Sequence, residues 1–317
     1  MDRTLEQVFD RLADGRRHSG QALADALGIS RSAVWKHIEA LRNLGLNVPA
    51  RSGGGYQLAA PIQRPSIELI GKQLDPPIDL DVRFLVDSTN ACLHRERVNT
   101  RRPKALIAEA QTLGRGRRAR SWISPPGAGL YLSLAWRFQA GLTGLSALSL
   151  VTGIALAGVL KSYGLGGIKL KWPNDLWVED QKLGGCLIEI NGSAEGPCEA
   201  VTGLGLNLDL SRSDSIDQPW TDLARQELVP DRNALYADLI NAITEAYGEL
   251  DRTGFAAFEP QWFELDALQG RRIQVFGLGH EPIEGVARGV DSQGRLLLEG
   301  SGGMQAIGSG EVSVRRC

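Results

Sequence analysis

The spacing of apolar positions changes period several times along the chain, and each change marks an element. Near the start, Ala22, Leu23, Ala26 and Leu27 recur with helical spacing, and Gly28 suits the turn that follows. Ser30 is placed to cap a second helix, in which Val34, Ile38 and Leu41 face a core. Arg31, Ser32, Trp35, Lys36, Glu39 and Arg42 then point outward. Two short apolar runs, 46–48 and 56–58, flank the loop Arg51-Ser52-Gly53-Gly54-Gly55 and predict a wing of two strands. Pro61 and Pro65 mark a linker, and 67–74 reads as a short helix.

Strand-like runs follow at 82–86, 105–108, 130–136, 169–178 (interrupted by Pro173), 182–190 (opening as a turn) and 200–208. Pro173 with Asn174 and Asp175 behind it predicts an exposed turn. An apolar helix is expected over 143–160, an amphipathic one over 233–250 and a further one over 255–263. From Gly270 the pattern becomes short strands at 272–276, 283–290, 295–299 and 311–314, the signature of a small β-barrel of SH3-like size. The expected fold class is therefore multidomain α+β. Its parts are a winged helix-turn-helix over 1–63, a central α/β domain over 64–268 and the barrel over 269–317.

A helix, a glycine turn, a second helix with a polar face and a wing point to DNA, with Arg31, Ser32, Trp35, Lys36, Arg42 and Arg51 as contacts. The other reading is a helical interaction module without a nucleic-acid role. Residues 1–60 carry eight basic and six acidic residues. So weak a charge makes one copy a poor binder and favours a dimer on two half-sites.

Charge and composition narrow the rest. The 317-residue chain has a net charge of −2, so no global field favours nucleic acid or membranes. Residues 95–120, however, carry nine basic against two acidic residues, a place for an anion. The cysteines (92, 186, 198, 317) and histidines (18, 37, 94, 280) lack metal or redox spacing, so no metal site is expected. Residues 138–160 contain no charge, nearly a membrane span in length. Four glycines and several Ser and Thr favour a buried helix of a large α/β domain over a membrane span. With no signal-peptide core, the expectation is a cytoplasmic protein without membrane partners.

Candidate chemistry sits in five places. In Gly114-Arg115-Gly116-Arg117-Arg118, glycines let the backbone close on a ligand and arginines supply fixed, forked charge. The stretch reads as a lid over an anion, or as a plain basic loop. Asp87-Ser88-Thr89-Asn90 offers hydroxyls, an amide and a helix cap. Lys171-Trp172-Pro173-Asn174-Asp175 is the third. In the fourth, Lys182 starts a strand with Gly184 and Gly185 leaving room beside it. In the fifth, Gly203 and Gly205 would let a ligand lie against the backbone, with Asn207 aimed into that space.

Taken in order, these motifs resemble the bifunctional biotin–protein ligase and biotin operon repressor family over the whole chain. The resemblance implies a central domain of the biotin/lipoyl-ligase type with a mixed sheet. It implies ATP-dependent formation of biotinyl-5′-AMP with magnesium, then transfer of biotin to a lysine of the biotin carboxyl carrier protein of acetyl-CoA carboxylase. It further implies biotin operator DNA as a partner, with biotinyl-5′-AMP as corepressor and a ligand-induced homodimer. Carried over, Ser88, Thr89, Asn90 and Gln111 would hold the ureido ring, and Arg115, Gly116 and Arg117 would close over biotin and the adenylate. Lys182, with Arg117, would be catalytic, lying between the biotin carboxylate and the α-phosphate. Arg118, Trp122, Lys171, Asn174 and Asn207 would face the nucleotide. Asp175 would orient or deprotonate the acceptor lysine, or serve as a structural hydrogen-bond partner. The chain departs from the family at Ala119, where a third glycine is usual, at Cys186, and at 305–310, which lack an aromatic to stack on adenine. A ligand-sensing repressor without catalysis and a lipoyl or octanoyl transferase are the competing readings.

Overall fold

The computed structural model describes residues 3–51, 54–96, 102–139, 141–192, 196–210, 218–277, 281–310 and 312–316. Ser52, Gly53, Arg97, Arg101, His280, Glu311 and Cys317, all used in the sequence reading, lie outside the described residues. The N-terminal module consists of α1 (Arg3–Leu12), α2 (Gly20–Leu27), α3 (Arg31–Asn43) and a wing of β1 (Ala50–Arg51) and β2 (Gly55–Tyr56). Ser19 and Ser30 cap α2 and α3 by accepting from Ala22 N and Ala33 N. Gly28 ends α2 at φ 65°, a left-handed conformation suited to glycine. Helix α1 was not anticipated, although Leu5, Val8, Phe9 and Leu12 form its buried face. The wing strands are shorter than expected because Leu46, Val48 and Leu58 turn into the module's core instead.

The central domain contains α4 (Ile67–Gly71), β3 (Asp79–Val86), α5 (Thr89–Arg95), β4 (Lys104–Gln111), β5 (Gly129–Phe138), α6 (Leu148–Ser162), β6 (Ile168–Lys171), β7 (Asp175–Val178), β8 (Gln181–Gly192), β9 (Cys198–Asn207), α7 (Arg232–Thr253) and α8 (Glu259–Leu265). Its seven-stranded sheet runs β3-β4-β5-β9-β8-β7-β6. Only β3 and β4 are parallel, so the sheet is mixed. The run at 169–178 is a hairpin rather than one interrupted strand. Its turn holds Pro173, which has no N–H to give a ladder. The charge-free stretch ends β5, turns, and enters α6, where α7 and the sheet bury it. Tyr247 on α7 meets Thr152 on α6 at 2.8 Å and Thr202 on β9 at 2.6 Å. Among the described residues no helix is long and apolar enough to cross a membrane.

The C-terminal unit is an antiparallel sheet of β10 (Arg272–Phe276), β11 (Ile283–Val290), β12 (Leu296–Gly300), β13 (Gly303–Ile307) and β14 (Ser313–Arg316), in the order β13-β12-β11-β10-β14. Strand β13 was missed because only Ile307 is buried, leaving no alternation to read. Ile273, Val275, Leu296 and Leu298 join the same core as α6 and α7. Trp172, 1% exposed, donates from Nε1 to Gly294 O at 3.0 Å and ties the two domains together.

A buried ionic cluster joins the N-terminal module to the central sheet. Glu109 on β4 is fully buried and accepts from Arg232 Nη1 (3.1 Å) and Gly127 N (2.8 Å). Arg64 of the linker lies 3.5 Å from the same carboxylate and pairs with Glu6 and Asp10 of α1. It also lies over the rings of Phe9 and Phe84. Beside this junction a cleft of about 840 Å³ separates module from central domain.

Two substitutions test these joints by urea unfolding. Glu109→Ala strands the buried Arg232 charge and should cost about 3–5 kcal/mol. Trp172→Ala should cost a similar ~3–5 kcal/mol through the cavity and the lost interdomain bond.

Candidate active site

A cavity of about 170 Å³ opens on one side of the central sheet. The elements that line it are far apart in sequence: the start of α5, the loop after β4, the β6–β7 turn, the start of β8, and β9. Every ligand-site residue named from the sequence lines this cavity except Asn207. Asn207 is 6% exposed and donates from Nδ2 to Thr221 O (3.0 Å) and Lys182 O (3.4 Å). It therefore steadies the backbone that carries Lys182 and does not reach into the cavity.

Lys182 is one of the cations that line the cavity. Its backbone is pinned on both sides, through Lys182 N to Pro219 O and Thr221 N to Lys182 O, each 3.0 Å. Its side chain is 16% exposed, with Nζ 2.7 Å from Asp175 Oδ1 and 5.3 Å from the Trp122 ring centroid. A Cβ at Gly185 would sit 3.0 Å from Asp175 Oδ1, so the glycine makes room for this pair. The contact lacks hydrogen-bond directionality, and Oδ1 keeps acceptor capacity for another partner. Asn174 and Asp175 are half-buried here, not in the exposed turn expected, and Asn174 Nδ2 donates to Cys186 O at 2.7 Å. Lys171 packs over Trp177, with Nζ 4.4 Å from the ring centroid. The Cys186 thiol is pushed up to about 12 by burial first and by Asp175 second, so it stays protonated and unreactive.

The opposite wall is a hydrogen-bonded cluster. Ser88 caps α5, and Thr89 and Asn90 are 4% and 3% exposed. Thr89 N donates to Gln111 Oε1 at 2.9 Å. Gln111 Nε2 donates to Ser124 Oγ at 2.9 Å, which joins the entry and exit of the loop. Ser133 Oγ lies 2.7 Å from Thr89 Oγ1 and 2.6 Å from Asn90 Oδ1. Sequence reading missed Ser133 and Ser124; a lone hydroxyl in the apolar run of β5 was the available signal. Asp87 is held well below the usual carboxylate range by Arg95, which fixes the turn before α5.

Gly203 and Gly205 correct an expectation. The space above them is filled by this chain's own side chains. A Cβ at Gly203 would come within 2.4 Å of Asn90 Oδ1, and one at Gly205 within 2.4 Å of the Trp122 ring. The indole therefore lies flat on the sheet below Lys182. Among the described residues its buried Nε1 has no hydrogen-bond partner.

The glycine-arginine loop is docked rather than reaching freely. Arg117 donates to the carbonyls of Ser309, Gly310 and Val312. Arg118 donates to Ser313 Oγ at 2.8 Å. Arg115 lies 3.4 Å from Glu189. Arg118 and Ala119 have φ of 56° and 54°, a strained conformation for residues with a Cβ and the one a glycine at 119 would relieve. On the N-terminal module, Arg31, Ser32, Trp35 and Lys36 are exposed on α3. Arg42 is turned inward, donating from Nε to Val48 O at 3.0 Å and pairing with Glu39. Arg51 lies in β1.

Among the described residues no group of three or more acidic, histidine or cysteine side chains could hold a metal alone. Magnesium reaches such sites with nucleotide phosphates and needs only one or two protein carboxylates. Asp175, with its spare acceptor capacity, fits that donor set.

Gly205→Ala should lift the Trp122 ring off β9 and lower stability by about 1–3 kcal/mol. Hydrogen–deuterium exchange over 112–124 should rise with it; unchanged exchange there would contradict the packing described.

Comparison with known proteins places this geometry. The family model described as the biotin/lipoate A/B protein ligase family matches residues 83–207, an HTH domain model matches 4–57, and the biotin protein ligase C terminal domain matches 269–315. The bifunctional ligase/repressor BirA of Salmonella typhimurium is 40% identical over 306 residues, covering 96% of this chain and 95% of that protein. That of Bacillus subtilis is 30% identical over 317 residues, covering 93% of each. Among solved structures, the biotin protein ligase from Aquifex aeolicus in complex with biotin and ATP superposes with a TM-score of 0.65 at 28% identity. It covers 75% of this chain and 99% of that one. The chain belongs to the biotin protein ligase family, in its bifunctional ligase/repressor branch.

Proposed function

We propose that this protein is an ATP- and magnesium-dependent biotin–protein ligase that also represses transcription under the control of its own intermediate. The observation that carries the reading is one cavity holding a buried amide and hydroxyl cluster at one wall and Lys182 at the other. The ureido group of biotin needs donors and acceptors at fixed places, which Ser88, Thr89, Asn90 and Gln111 would supply. Its carboxylate then meets the α-phosphate of ATP beside Lys182. An oxygen of the carboxylate bonds to phosphorus, and pyrophosphate leaves with the bridging electron pair. Two anions meet in this step, and a fixed cation stabilises the charge that gathers on phosphorus. Magnesium, which Asp175 would help to hold together with the nucleotide phosphates, would supply positive charge to the pyrophosphate leaving group. The product, biotinyl-5′-AMP, is a mixed anhydride sensitive to water, and the 114–118 loop shields it. In the second step a neutral lysine amine attacks the acyl carbon, the bond from that carbon to the phosphate oxygen breaks so that AMP leaves, and the amine's proton passes to solvent.

The Lys182–Asp175 pair favours a positioning role for Asp175 over general-base work. Trp122 and Arg118 lie on the nucleotide side in this reading, and Arg117 acts after leaving its carbonyl partners. The acceptor is a lysine of a biotin carboxyl carrier protein. The N-terminal module binds operator DNA through the exposed face of α3, as the protein works in the cytoplasm. Two weakly charged modules need each other, so adenylate-driven homodimerisation completes the repressor. The carrier protein competes for the dimer surface. A lipoyl transferase has no use for the amides of Asn90 and Gln111. A sensor without catalysis would not need a lysine fixed by both Asp175 and the 219–221 segment.

Pyrophosphate exchange tests the chemistry. Biotin, not lipoate, should support it, and Lys182→Ala should slow it at least about a hundredfold. Exchange with lipoate alone, or a fully active variant, would remove the assignment. Sedimentation velocity with biotin and ATP should show a dimer absent without them, and an unchanged monomer would discard the regulatory half.

A further inference from the structure

The polar cluster behind the cavity ends on a carboxylate that the steps above do not use. Glu189 lies on β8 beside two residues that line the cavity, Asn90 and Arg115, its side chain 31% exposed. Its Oε2 accepts from Asn90 Nδ2 at 2.8 Å and lies 3.4 Å from both Arg115 Nη2 and His94 Nε2. Asn90 is almost fully buried and packs against Gly203, its Oδ1 nearest. The two ends of an amide have nearly the same shape, so packing alone does not say which faces the ligand. An ionised carboxylate only accepts. Glu189, helped by Leu187 O at 3.2 Å, therefore forces Nδ2 towards β8 and Oδ1 towards Ser133. From Ser133 the contacts run through Thr89 and Gln111 to Ser124, and so to both ends of the lid. The same Oε2 faces Arg115, the first arginine of that lid.

We propose that Glu189 is a positioning residue for the ligase reaction. It sets the orientation of the Asn90 amide that reads the ureido group, and it anchors the lid through Arg115. Recognition of the ring and closure of the loop thus share one carboxylate. The inference rests on biotin being the substrate. A solvent-exposed ion pair by itself contributes little. The weight falls on the bond to Asn90, where a buried amide without its acceptor loses a full hydrogen bond.

The test is biotin-dependent pyrophosphate exchange with the full-length chain and two variants. Glu189→Ala should raise KM for biotin about tenfold, one oriented hydrogen bond, and change kcat at saturating biotin much less. Glu189→Gln retains an acceptor for Asn90 but no charge facing Arg115. Its KM should return towards the wild-type value, while enzyme-bound biotinyl-5′-AMP hydrolyses faster than in wild type. An unchanged KM in the alanine variant overturns the proposal. So does a KM equally raised in both variants, or a fall in melting temperature shared by both with KM unmoved. If wild type in the same assay exchanges no pyrophosphate with biotin, the functional reading itself fails, an outcome distinct from these.

Discussion

The proposed reaction brings two negatively charged reactants together beside one lysine whose position is fixed from several sides. Lys182 is held through its backbone by the 219–221 segment and by Asn207, and through its ammonium by Asp175. Each of these partners belongs to a different element, so the cation's place depends on the whole sheet being assembled. A lysine on a flexible stem would otherwise lose rotamer freedom on binding and move with its ligand. Preorganisation of this kind lets a charge act without waiting for its surroundings to rearrange.

The glycines of the sheet serve the same end in an unexpected way. They clear space for side chains of the site, not for the ligand. Gly203 lets Asn90 pack against it, Gly205 does so for Trp122, and Gly185 admits the Lys182–Asp175 pair. The cavity walls are thereby built from side chains stacked on bare backbone, where ridges of Cβ atoms would have held them off. The lid is also tied into the fold. Arg117 and Arg118 use carbonyls and a hydroxyl of the C-terminal unit, so that unit takes part in holding the loop.

The N-terminal module is connected to the same sheet by charge. Arg64 joins Glu6 and Asp10 of α1 to Glu109 of β4, and Gln111, two residues further on, lies in the ligand cavity. Burial raises the Asp10 carboxyl, and Arg64 opposes that rise. The junction thus links helix α1 of the N-terminal module to the strand that carries Gln111 of the cavity wall. Strand β4 also carries Glu109's bond to Gly127, just after the lid.

Much of this was readable in the residues themselves. Helix caps, glycine turns and apolar spacing are local, so α2, α3, α5 and most strands followed from them. The motifs carried the site because each holds several chemically specific residues in a row. Two elements were missed. Strand β13 has almost no buried face to read, whereas α1 does repeat Leu5, Val8, Phe9 and Leu12 at helical spacing but has no recognisable cap to mark its start. The sequence could not show that Trp172 anchors the C-terminal unit, that Asn207 supports Lys182 from behind, or that Arg42 turns inward. Nor could it show Glu109, Ser133 and Glu189 as members of networks. Those roles depend on which atoms meet across strands distant in sequence, and only the tertiary packing brings them within hydrogen-bond reach.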